Sequence, residues 1–215
     1  MQIILTAKDG ALADAFRTAS DGLTDVSVFE GSIFDVEADA YVSPANSFGF
    51  MDGGIDAWYL WRFGDHVQDR VRMAILRYWQ GELPVGCAEI VETDDEDVPF
   101  LIAAPTMRVP MILGQDSINS YLAMRATIIC IRSGLFKEGT HKGSKISNSI
   151  HRIAVPGFGT GVGKVPFSLA AFQMCEAIRR HQSGRHFLPK SWAEASEYHA
   201  ELLQLSARNF QKPAN

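Results

Sequence analysis

Short apolar runs of strand character alternate with stretches of helical periodicity along most of this chain, and that alternation constrains its fold more than any other feature. Gln2–Thr6 is apolar and β-branched, and Leu12, Phe16 and Ala19 then recur at helical spacing. Val26–Glu30 alternates at period 2, and Ala40–Ser43 is the next apolar run. Val67, Val71, Ile75 and Tyr78 form one stripe over residues 66–79. Cys87–Thr93 predicts a half-buried strand, and Phe100–Ala104 a fully buried one. Residues 117–133 carry a wide apolar stripe that Gly134 ends. Arg152–Val155 is a further strand, followed after Pro166 by a helix with Ala170, Met174, Ala177 and Ile178 on its buried stripe. Strands alternating with helices, without a repeat or a break in composition, predict a single α/β domain. Ser191 with Glu194 predicts a capping box for a last helix, whose apolar face is Tyr198, Leu202 and Leu205.

Three segments carry no such periodicity. Ala57–Phe63 is rich in contiguous aromatics and predicts a short helix buried in the core. Asp94–Asp97 reads as a solvated hairpin tip. Residues 135–150 are Gly/Ser/Lys-rich and read as a structureless surface insertion.

Composition excludes some functions. At 47% hydrophobic and 21% charged, 215 residues make an ordinary core without cross-links. A net charge of −5 argues against general nucleic-acid binding. Cys87, Cys130 and Cys175 lie far apart in apolar runs and read as reduced core residues. The six histidines, His186 among them, show no ligand-type pairing. No stretch has signal-peptide character or membrane-spanning length, so a cytoplasmic location is expected.

Two strand-to-helix loops stand out as ligand sites. The first, Pro44–Asp56, holds Asn46, Gly53, Gly54 and Asp56; its alternative reading is a turn whose glycines only satisfy geometry. In the second, Gly157, Gly159, Gly161 and Gly163 alternate ahead of a helix, a pattern that exposes successive N–H groups to an anion. It is not a P-loop: the first glycine of G-x-x-x-x-G-K-[ST] would fall on Phe158, and Val165 lacks the hydroxyl. Nor is it a dinucleotide fingerprint, since G-x-G-x-x-G would need glycine at Val162 or Lys164.

Together the loops resemble those of a macro domain, the ADP-ribose-binding module. Ala38–Ser47 resembles the family's D-A-I-V-N-A-A-N-S, and Met51–Asp56 its G-G-G-G-V-D. Val155–Val162 resembles its I-P-x-x-S-T-G-V phosphate loop, and Leu83–Ala88 its P-x-G-x-A. The four motifs keep the family's order and spacing and span residues 1–182, leaving 183–215 as a C-terminal helical extension packed on the same domain. The stretches Ser43–Gly54 and Pro105–Pro110 look like a divergent bacterial branch.

The resemblance implies a three-layer α/β/α fold with a mixed, mostly parallel central sheet. It places Gly31, Ser32 and Ile33 at adenine, and wraps Gly157, Phe158, Gly159, Thr160, Gly161, Val162 and Gly163 around the diphosphate. Asn46 would hold the terminal ribose, and Gly53, Gly54 and Ile55 would close over the distal phosphate. Asp56 falls where hydrolytic members activate or orient water, so Asn46 and Asp56 are the catalytic candidates. The implied activity is hydrolysis of an ADP-ribose linkage in an ADP-ribosylated protein or nucleic acid, O-acetyl-ADP-ribose or ADP-ribose 1″-phosphate. The alternative is a non-catalytic ADP-ribose reader. Neither requires a metal or a cofactor, and the partner is ADP-ribose or an ADP-ribosylated macromolecule, not a membrane. Three positions depart from the family's pattern: Ser32 replaces the usual Asp, Ser43 the first Asn, and Gly163 an aromatic over the distal ribose. Phe48, Phe50 and Phe158 are the aromatic candidates for that last role.

Overall fold

In the computed structural model, which describes residues 1–184 and 188–204, consecutive strand residues point into opposite cores. On β5 (Phe100–Ala103), Phe100 and Ile102 face one core, and Leu101 and Ala103 the other. β3 (Ala40–Ser43) and β6 (Arg152–Pro156) divide in the same way. Burial on both faces is why these strands read as unbroken apolar runs. With β1 (Gln2–Ala7), β2 (Val26–Glu30) and β4 (Glu89–Glu92), they form a sheet of order β2-β1-β6-β3-β5-β4. Every pairing is parallel except β4 with β5.

Helices α1 (Gly10–Ala19), α4 (Asn119–Ser133) and α5 (Phe167–Gln182) cover one face, and α2 (Gly54–Phe63) and α3 (His66–Trp79) the other. The result is the expected α/β/α sandwich with a mostly parallel sheet. A sixth helix, α6 (Trp192–Leu202), lies beside the first of these layers. Its Leu202 joins that core, and the Tyr198 hydroxyl is 2.7 Å from that of Tyr121. Ser191 accepts the Glu194 N–H at 3.2 Å, while the Glu194 carboxylate takes the N–H of Lys190 in place of that of Ser191. Leu205, which the helical spacing adds to this face, and His186 lie outside the described residues. Among the described residues no helix is long and apolar enough to cross a membrane.

Two segments correct the sequence reading, and a third bears it out. On α2, Tyr59 and Phe63 are buried, but Trp58 is 55% and Trp61 78% exposed. Neighbouring helical residues point about 100° apart, so a contiguous aromatic run cannot all face the core. Residues 135–150 are not a structureless insertion: Leu135 bridges to Lys145, and Phe136, Ile146 and Ile150 are buried. The segment reaches side chains of the edge strand β4, where Lys137 pairs with Glu89 and the Thr140 N–H donates to Glu92 at 2.8 Å. The acidic run 94–97 is the expected hairpin tip between the antiparallel β4 and β5, with Asp94, Glu96 and Asp97 exposed, and it is anchored by Arg70 to Asp94 at 2.7 Å and Arg62 to Asp95 at 3.1 Å.

Candidate functional site

Because five strands run parallel, their C-terminal ends share one edge of the sheet. The loops leaving those ends wall a cleft of about 490 Å3, ample for a small ligand. Open α/β sheets hold ligands at such an edge, where neighbouring strands feed helices on opposite faces. Here β1 and β6 feed helices of one layer, and β3, beside β6, feeds α2 of the other.

The β3 and β5 loops are held together by hydrogen bonds that carry the ladder past the strands. Ala104 N–H donates to Ser43 at 2.9 Å, Thr106 N–H to Ala45 at 3.0 Å, and Ser47 N–H to Arg108 at 3.2 Å. Asn46 then folds the chain back on itself. Its amide oxygen accepts the N–H groups of Phe48 and Phe50 at 3.1 and 3.3 Å, and its amide nitrogen donates to the Phe50 carbonyl at 2.7 Å. An amide has two N–H donors, so one stays available to a ligand. Gln68 on α3 accepts the N–H of buried Met51 at 2.8 Å and fixes the far end of this loop.

Gly53 caps α2, and Asp56 stands in its first turn, 7% exposed. The Asp56 carboxyl is 2.5 Å from the Ser43 hydroxyl. Burial pushes Asp56 up to about 7; the Ser43 hydrogen bond pulls it down, and neighbouring Asp52 adds to the rise. The residue thus reaches the cleft as an acid that changes protonation near neutrality.

Across the cleft, β6 delivers the glycine loop. Among the described residues, no protein group accepts the N–H of Gly159, Thr160, Gly161, Val162 or Gly163. Five successive free donors suit an anion bearing several oxygens. Gly159 has φ +71°, and a Cβ on Gly163 would lie 2.5 Å from the Gly159 carbonyl oxygen. The loop therefore has no room for an aromatic at 163. Leu113 and Gly114 donate N–H bonds to the Gly163 carbonyl at 2.7 and 3.1 Å, tying this loop to the β5 loop.

Of the residues singled out by sequence, Gly31, Ile33, Asn46, Gly53, Gly54, Ile55, Asp56, Gly157, Gly159, Thr160, Gly161, Val162 and Gly163 all line this one cleft. Ser32 and Phe158 do not. Ser32 accepts the Phe34 N–H at 3.4 Å and caps a short 3-10 turn. Phe158 is buried beneath the loop, its carbonyl accepting from Ser120 at 2.9 Å. Sequence reasoning missed Lys8 and Trp58, which also line the cleft. Trp58 could have been found, because its neighbour Tyr59 already fills the core-facing position; nothing local singles out Lys8.

A parallel-sheet sandwich with its cleft at the strand ends defines the class of protein. The family model of the Macro domain matches residues 42–174. An uncharacterized protein of Aquifex aeolicus is 33% identical over 159 residues, 74% of this chain and 83% of its own length. Another, from Pyrobaculum aerophilum, is 27% identical over 160 residues, covering 74% and 78%. The chain belongs to the macro domain family. Solved structures share the fold at lower identity. The Oceanobacillus iheyensis macrodomain with ADP gives a TM-score of 0.57 at 17% identity, over 80% of this chain and 86% of that one. The Trypanosoma brucei macrodomain in complex with ADP-ribose gives 0.52 at 16%, over 73% and 57%.

Proposed function

We propose that the cleft binds ADP-ribose and that the protein hydrolyses an ADP-ribose linkage with Asp56 and Asn46. The observation that carries this reading is the run of five unpartnered N–H groups, Gly159–Gly163, across one cleft from a buried carboxyl at a helix start. Macrodomains of the same fold that hold ADP and ADP-ribose support it.

The loop N–H groups take the diphosphate oxygens without a bound cation. The remaining Asn46 N–H donates to a hydroxyl of the distal ribose. Ionised Asp56 accepts a proton from water as the water oxygen bonds to the anomeric carbon. The bond from that carbon to the departing oxygen breaks, and its electron pair leaves with that oxygen. Substrates with an oxygen leaving group on that carbon are proteins ADP-ribosylated on carboxylates, O-acetyl-ADP-ribose acylated at that position and ADP-ribose 1″-phosphate.

One observation favours a second reading, a non-catalytic reader. Both lone-pair directions of the Asn46 carbonyl and one of its N–H groups already serve the loop, which limits its grip on a ribose. Titration calorimetry with ADP-ribose, AMP and NAD, followed by turnover assays, tests both. ADP-ribose is expected to bind and to stabilise the fold by about 2.7 kcal/mol at a hundred times its Kd. No binding at millimolar ADP-ribose refutes both readings, and binding without turnover of any of these substrates leaves the reader.

A further inference from the structure

The outward face of α2 leads away from the cleft and carries two exposed indoles. Asp56 stands in the first turn of this helix, and Trp58, two residues on, lines the same cleft. Trp61 and Arg62 follow Trp58 at three and four positions, so the three side chains share one face. The indoles meet edge to face with centres 6.4 Å apart, and Trp61 is the more exposed of the two. Lys8 stands over Trp58, whereas among the described residues no cation stands over Trp61. The face ends at negative charge: Arg62 reaches Asp95 at 3.1 Å and Asp97 at 3.8 Å on the β4–β5 tip. At the start of α3, His66 and Arg70 reach Asp94 at 3.6 and 2.7 Å, which sets exposed Asp65 and Asp69 beside the same tip. Six acids, Asp65, Asp69 and Asp94–Asp97, stand here with two arginines, so with His66 neutral this surface carries −4 of the chain's net −5.

An exposed tryptophan face takes up apolar and cationic side chains. An acidic border attracts cations and repels phosphates. The chemistry proposed for Asp56 breaks the bond to the anomeric carbon at the start of α2, so the attached group lies beside this face. From Asp56 to Arg62 the helix rises about 9 Å, the span of about three residues of extended chain. We propose that Trp58, Trp61 and their acidic border dock a lysine- or arginine-rich segment of a protein that bears the ADP-ribose. This rests on the ADP-ribose reading above and names its substrate class. A modified protein uses the face, whereas O-acetyl-ADP-ribose and ADP-ribose 1″-phosphate leave it empty, and a nucleic acid would set its phosphates against the acids.

The test is calorimetric titration of the full chain with free ADP-ribose and with ADP-ribose joined through a stable N-methylaminooxy link to short peptides. The peptides, about ten residues long to cover the face, are lysine-rich, neutral or glutamate-rich, and a single-stranded oligonucleotide conjugate of similar length stands beside them. The wild type should bind the lysine-rich conjugate about tenfold or more tighter than free ADP-ribose, and the glutamate-rich one no tighter than free ADP-ribose. Added salt should shrink the difference. Trp61→Ala should weaken the lysine-rich conjugate about threefold or more. The double variant Glu96→Lys, Asp97→Lys should bring the lysine-rich and glutamate-rich conjugates to within about threefold of each other. All three positions are exposed and outside the cleft lining, so both variants should keep free ADP-ribose within about threefold of wild type, and circular dichroism checks their fold. The inference is overturned, with ADP-ribose binding intact, by a lysine-rich conjugate no tighter than free ADP-ribose, by a lysine preference that outlasts the charge reversal, or by conjugate affinities untouched in Trp61→Ala. An oligonucleotide conjugate that binds tighter than the lysine-rich peptide overturns it in favour of a nucleic acid. Failure of free ADP-ribose to bind overturns the ADP-ribose reading itself, and this inference with it.

Discussion

Ser43, the last residue of β3, and Asp56, in the first turn of α2, meet at 2.5 Å although they stand 13 positions apart in the sequence. The contact joins the sheet to the helix that opens beside the glycine loop. It also decides the charge on the one buried carboxyl of the cleft.

Removing the hydroxyl should therefore move a titration. Ser43 lowers the Asp56 pKa from where burial would leave it, so Ser43→Ala should raise it above about 7. If Asp56 is the base, the acid limb of the pH–rate profile moves up in this variant, and Ser43→Thr restores it. An acid limb that stays in place would detach Asp56 from the chemistry.

Asp56 should also cost stability in alkali. Its folded pKa is raised from 3.8 to about 7, so the native state holds a proton that the unfolded chain has released. Stability is full below the unfolded value and falls as pH climbs between the two, by at most about 1.4 kcal/mol per unit. Asp56→Asn should abolish that slope. Thermal melts should find the variant close to wild type at about pH 4 and more stable at about pH 8.

Two glycines of the anion loop should respond differently to one methyl group. A Cβ at Gly163 lies 2.5 Å from the Gly159 carbonyl, whereas one at Gly161 meets nothing within 4 Å. Gly163→Ala should displace the loop, lower ADP-ribose affinity by about tenfold or more and cost about 1–3 kcal/mol of stability. Gly161→Ala should fold at wild-type strength. Calorimetry and melting curves on the pair check this.

The two faces of α2 should separate stability from binding. Tyr59 is fully buried and its hydroxyl donates to the Val42 carbonyl at 3.1 Å, so Tyr59→Ala should cost about 3–5 kcal/mol. Trp58, half exposed in the cleft wall, should cost under about 1 kcal/mol as Trp58→Ala yet weaken ligand binding. Denaturant unfolding beside calorimetry distinguishes the two.

The layers of this fold were legible in sequence because the central strands are buried on both faces and the longer helices carry a stripe. The cleft was legible through its glycines, Asn46 and Asp56, whose side chains or missing side chains shape their own loops. What could not be read depends on partners far along the chain. Arg70 holds Asp94 from 24 residues away, and Glu92 and Thr140 meet across 48. Lys8 and Trp58 meet only because β1 and α2 flank one cleft. Ser32 was assigned to the cleft by its place after a glycine, yet its hydroxyl is used within its own turn.

The ladder that runs past β3 and β5 into their loops has a consequence for how this cleft can change its length. Residues 45–47 are registered one by one against 106–108, so deleting one residue from either side would slide the wall and turn its side chains to the opposite face. Insertions and deletions should be excluded from this pair of loops. The open tip around Gly143, where an added Cβ meets nothing within 4 Å, should accept them. New specificity in this cleft must then arise by substitution at fixed length, one side chain at a time.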